Sequence, residues 1–77
     1  RVVFKARGES WIQVKDAQGV VVLERTLKAG ESASFNQSGR LAIVVGRADA
    51  TDVFVMGDKL DLAASARENV ARFEVKQ

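Results

Sequence analysis

Apolar and polar residues alternate with a period of two through most of this 77-residue chain. Val2, Phe4 and Ala6 fall on one side of the first run, opposite Val3, Lys5 and Arg7. In Ser10–Asp16, Ile12 and Val14 share one face while Trp11, Gln13 and Lys15 share the other. Successive side chains of extended backbone point to opposite faces, so this alternation predicts half-buried β-strands. Glycines at 8, 19, 30, 46 and 57, with Gly39 as an extra mark, cut the pattern into short runs. Strand-length runs bounded by turn residues every ~8–12 positions predict a small all-β sandwich or barrel.

Further along, Ala17-Gln18-Gly19 is a short turn, and Val20–Leu27 returns as a third strand with Val21, Leu23 and Leu27 on one side. The second and third runs should form a hairpin. Lys28-Ala29-Gly30-Glu31 is the next turn, followed by a strand with Ala33 and Phe35 inward and Ser32 and Ser34 outward. Asn36-Gln37-Ser38-Gly39 is polar and reads as an exposed loop. Leu41-Ala42-Ile43-Val44-Val45 is nearly continuous and apolar, which suits a central strand covered on both sides. Periodicity alone leaves a helix open there, and the β-branched content favours the strand. A turn through Gly46–Asp52 leads to Val53–Met56. Val70–Lys76 closes the chain with Ala71, Phe73 and Val75 inward, and Leu62–Asn69 is expected to hold one short helical turn. The sum is an immunoglobulin-like antiparallel β-sandwich of about seven strands. Its expected core is Ile12, Val14, Val21, Leu23, Phe35, Ile43, Val53, Phe73 and Val75.

A chain of this length has room for one core, residues 1–77, and buries only about 60% of the surface its unfolded form exposes. The apolar content of 47% and charged content of 29% are those of a folded globule. Twelve Lys and Arg against ten Asp and Glu leave a net charge of +2, with the cations spread along the chain and acids between them. Nucleic-acid binding, which gathers cations into a patch or stripe, is not expected of this domain. No cysteine is present, and no apolar run approaches the ~18 residues of a membrane span. The first residue is Arg and already lies inside a strand-like run, so the chain is expected to be a fragment of a longer protein.

Reactive side chains are scarce. The lack of His and Cys removes the usual general base, most nucleophile triads and the common zinc sites. Serines 10, 32, 34, 38 and 65 have no evident activating partner. Asp49 with Asp52, and Asp58 with Asp61, are spaced for acid–base work or a hard cation, but turn-forming Asp is the simpler account. Asn36-Gln37-Ser38 matches a glycosylation sequon. No catalytic residue, cofactor or metal is expected, and the chain does not read as an enzyme.

Strict alternation places Trp11 opposite Ile12 and Val14, and places Phe54 and Met56 opposite Val53 and Val55. Three large apolar side chains then project outward as a candidate partner-binding surface. Alternatively, a bulge or sheet edge returns Trp11 to the core, and the 62–69 crossover covers Phe54 and Met56. An exposed Trp11 also suits stacking on a sugar, which makes a glycan-binding module, with peptidoglycan as the partner, the rival reading. Arg72 is either a further contact residue or one half of a surface ion pair.

These residues also carry a family resemblance. Ser10-Trp11-Ile12-Gln13-Val14-Lys15-Asp16-Ala17-Gln18-Gly19, followed by Leu27-Lys28-Ala29-Gly30-Glu31, resembles the opening of the C-terminal domain of RodZ-type bacterial cell-shape proteins. Val45-Gly46-Arg47-Ala48 is similar to that family's Ile-Gly-Asn-Ala turn. Gly57 followed by Asp61-Leu62 resembles its Asn-Gly-Lys-Pro-Val-Asp-Leu segment, and Asn69-Val70-Ala71-Arg72-Phe73 its final strand. The similarity runs over nearly the whole chain. Departures are Arg47 for Asn, Met56 where Asn usually precedes the Gly, and Asp58-Lys59 for Lys-Pro, all of which touch turn chemistry.

The resemblance implies a single-pass inner-membrane protein whose cytoplasmic helix-turn-helix domain contacts the actin-like filament protein MreB. The present domain would lie last, in the periplasm, reaching the membrane only through the missing upstream span. It would be non-catalytic there and would couple the filament to the cell-wall elongation proteins for rod-shape maintenance.

Overall fold

In the computed structural model, which describes residues 1–76, the alternating runs become strands joined by tight turns. Nine strands form among the described residues: β1 Val2–Ala6, β2 Ser10–Lys15, β3 Val21–Leu27, β4 Ser32–Phe35, β5 Arg40–Val45, β6 Thr51–Val55, β7 Asp58–Lys59, β8 Ala66–Arg67 and β9 Val70–Lys76. The two beyond the expected seven are the two-residue strands β7 and β8. Single 3-10 turns occupy Ala48–Ala50, which the sequence did not suggest, and Leu62–Ala64, inside the segment expected to hold one.

The strands make two antiparallel sheets. Sheet I has the order β4-β1-β6-β7 and sheet II the order β3-β2-β5-β9-β8. Their facing sides bury Val2, Phe4, Ile12, Val14, Leu27, Leu41, Ile43, Val45, Val53 and Ala71 in one cluster. Removing each of the larger side chains from water contributes about 1.5–3 kcal/mol. This is the all-β sandwich that the alternation predicts.

Turn residues explain the register. Asp16 Oδ1 accepts from the backbone N–H groups of Gln18 and Val20, both at 2.9 Å, while Gly19 takes φ +82°. That turn closes the β2–β3 hairpin, and a bulge between Val14 and Lys15 puts Lys15 across from Val21 and Val14 across from Leu23. The extra residue, Val22, moves Val21 onto the outer side of Lys15, because a one-residue slip exchanges faces. Val21 is therefore 43% exposed, correcting its place in the expected core.

Leu23, Phe35, Phe73 and Val75 are only half-buried, since β3 and β4 are edge strands and the later part of β9 runs along an open side. The interior is filled instead by Val2 and Phe4 on β1, which lies between β4 and β6, and by Leu41 and Val45 on β5. β5 is central, but only Leu41, Ile43 and Val45 are buried. Among the described residues no layer covers its outer side, where Ala42 and Val44 are shielded in part by cross-strand neighbours such as Gln13 and Arg72. Ser10 is also buried, and its Oγ finds no hydrogen-bond partner among the described residues.

Candidate partner-binding surface

Period two holds along β2, so Trp11 lies on the outer side of sheet II and is 37% exposed. The bulge sits beyond it in the chain and does not rotate it inward. The backbone N–H of Gly46 donates to the Trp11 carbonyl at 2.6 Å. A Cβ on Gly46 would stand 3.1 Å from that carbonyl oxygen and 3.3 Å from the Trp11 Cβ. The glycine thus permits a close approach and leaves Trp11 beside a shallow depression with Glu9, Thr26 and Arg47.

Phe54 projects from the outer side of sheet I, between Val3 on β1 and Lys59 on β7. The Lys5 ammonium stands 5.4 Å from its ring centroid, within cation–π range. Phe54 is half-buried by these neighbours, not by the 62–69 crossover. Met56 departs from the alternation altogether. With Gly57 it forms the two-residue tip of the β6–β7 hairpin, with φ +52° and +86°, and is 66% exposed. Two successive positive φ values make a type I′ turn, whose first position favours Asn or Gly.

The three apolar residues therefore do not form one patch: Trp11 and Phe54 lie on opposite outer sides of the sandwich. Trp11 instead shares its face with Arg72, which stands across from Val44. Alternation places Lys15, Arg40, Arg67, Arg72 and Lys76 on this outer side of sheet II, with Glu24 and Glu74 as its acids. Cations spread along the sequence are thus gathered by strand geometry. Arg72 makes no ion pair among the described residues.

Arg67 escaped the sequence reading because the β8–β9 hairpin has no glycine to announce it. Its two-residue turn is Glu68-Asn69, with φ +51° and +68°. Asn69 ties the turn down: its Nδ2 donates to Asp49 Oδ1 at 2.7 Å, and its Oδ1 accepts from the Asp49 N–H at 2.9 Å. Ser65, Arg67, Glu68, Val70 and Arg72 then line a groove of about 630 Å³. Val70 and Arg72 were legible as outward residues from the alternation in β9; their meeting with Arg67 was not.

Three of the four paired aspartates, Asp49, Asp52 and Asp61, serve the fold. Arg7 contacts both carboxylate oxygens of Asp52, at 3.2 and 3.4 Å, and Lys59 Nζ lies 3.4 Å from Oδ1. Burial pushes the Asp52 carboxyl up, but the Arg7 hydrogen bond and charge, with the Lys59 charge, outweigh it and hold the carboxyl below the ordinary range. Asp61 accepts from the Ala63 N–H at 3.1 Å and starts the 3-10 turn. Asn36 and Ser38 of the sequon lie exposed in the loop between β4 and β5. No group of three Asp, Glu, His or Cys side chains among the described residues is placed to hold a metal ion.

The family model for the RodZ C-terminal domain matches residues 3–74. No curated protein and no solved structure matches the chain.

Proposed function

The chain belongs to the RodZ C-terminal domain family, and from that premise we propose that it is the non-catalytic, periplasmic interaction domain of a RodZ-like cell-shape protein. In this reading it couples an MreB filament, held by a cytoplasmic domain outside this chain, to the wall-elongation proteins across the inner membrane. The family match supports the cell-shape setting. The observation that carries the interaction role is the outer side of sheet II, where the lone Trp lies with Arg67 and Arg72, neither ion-paired among the described residues. Such a face, aromatic and Arg-bearing, has the composition of a docking surface.

The test is made in the bacterium with the full-length protein. Deleting this domain should broaden or round the cells. A photo-crosslinking residue at position 11 should capture a wall-elongation protein, whereas one at Ser34, on the other outer side, should not. Normal rods after deletion would remove the proposed role, and so would a fused reporter showing the domain on the cytoplasmic side.

A further inference from the structure

We propose that the uncovered part of the β9 edge receives an extended segment of a partner protein, apolar at its centre and acidic at its ends, as an added strand of sheet II. This deepens the interaction role proposed above and rests on it.

One edge of β9 is paired with β5 from Lys76↔Arg40 to Ala71↔Val45. The other is paired with β8 only at Ala71 and Val70. From Arg72 to Lys76 that second edge meets no strand among the described residues, leaving backbone donors and acceptors open to pairing. The other edges are guarded. β3 carries the bulge and sets Arg25 across from inward-facing Ile12, an inward charge on an edge strand. β4 has four residues and β7 two, too few for much pairing.

Side chains along the open edge specify the occupant. Phe73 and Val75 point inward but stay half-buried, so an added strand would cover them with its own inward residues. Arg72, Glu74 and Lys76 point outward. Residues across from Arg72 and Lys76 are therefore best acidic, and the one across from Glu74 neutral or basic. At the Arg72 end, the groove of about 630 Å³ adds Arg67 and Ser65. Neither arginine is ion-paired among the described residues, and the guanidinium fork suits a carboxylate. The recognised pattern is acid, apolar, neutral, apolar, acid, which reads the same in both chain directions.

A second copy of this chain fits poorly. The two-fold pairing of β9 edges that uses the whole open stretch, centred on Glu74, sets Glu74 against Glu74 and Arg72 against Lys76, all like charges. A slip that brings Arg72 or Lys76 against Glu74 overlaps only three of the five open residues. The chemistry favours a different protein.

The experiment uses the 77-residue chain and three capped peptides centred on Glu-Val-Thr-Val-Glu, on Lys-Val-Thr-Val-Lys, and on the first sequence N-methylated at both Val residues. The acidic peptide should slow amide exchange or shift amide resonances at Arg72–Lys76. The lysine and N-methylated peptides should bind at least about tenfold more weakly, the scale of one charge-assisted hydrogen-bonded contact. Combined Arg67→Gln and Arg72→Gln should weaken the acidic peptide by a similar factor. Equal binding of the lysine peptide, protection at β3 or β4 instead, or a concentration-dependent homodimer protecting β9 would each overturn the proposal. If the double variant, placed in full-length protein, leaves cell shape normal while domain deletion does not, this site fails and the interaction role stands.

Discussion

Met56 shows how one residue can be at odds with its backbone. Left-handed φ costs an ordinary L-residue roughly 1–2 kcal/mol, and Asn or Gly much less. The side chain is 66% exposed, so packing returns little of that cost. Met56→Asn should therefore raise stability by about 0.5–1 kcal/mol, seen as a higher urea midpoint with unchanged slope. A lower midpoint would mean that the thioether makes contacts worth more than the strain. Asp52 is the second case. Its carboxyl is depressed, so the ionised form is favoured by folding. That stability is fully present above the ordinary Asp value of 3.8 and is lost as pH falls below it. Urea midpoints from pH 6 down to about pH 2 should decline less for Asp52→Asn than for the parent in the acid limb; parallel declines would refute the Arg7–Asp52–Lys59 clasp as its source. Position 56 was legible as a departure from the family's Asn-Gly turn. The clasp was not, because it joins residues 45 apart in the chain.

At the scale of elements, alternation located every long strand but could not reveal a register slip. The β2–β3 bulge depends on how Asp16 closes its turn, and it moved Val21 outward without changing the pattern of letters. Burial along β9 was similarly hidden, since Phe73 and Val75 alternate as well as buried residues do; what exposes them is the shortness of β8. The Trp11–Gly46 contact joins β2 to the end of β5, and Gly46→Ala tests it. A methyl group 3.1 Å from a backbone oxygen must push the two segments apart. The expected cost is about 1–3 kcal/mol, with a shift in the emission of Trp11, the only tryptophan. An unchanged midpoint and spectrum would show that the approach is looser than described.

Over the whole molecule, two thin sheets enclose a single cluster, and small domains of this kind have little stability in reserve. Phe4 is fully buried at its centre. Phe4→Ala should cost about 3–5 kcal/mol, a large share of the ~5–15 kcal/mol of an ordinary domain. Trp11→Ala, at the rim, should cost far less. Thermal melts comparing the two would reverse this order only if the core were misplaced. The sandwich class was readable because periodicity reports burial directly. The distribution of Trp11 and Phe54 to opposite sides was not, since sheet membership is decided by long-range pairing rather than by local pattern.

That pairing has a kinetic side. β1 zips against β6, some fifty residues downstream, and β9 must slot beside β5 to complete sheet II. A nascent chain emerging from the ribosome therefore holds local hairpins such as β2–β3 and β6–β7, but its interior stays wet until translation has reached the seventies. Such long-range closure places folding on the millisecond-to-second scale. Chaperone capture of the unfinished chain then becomes the competing fate.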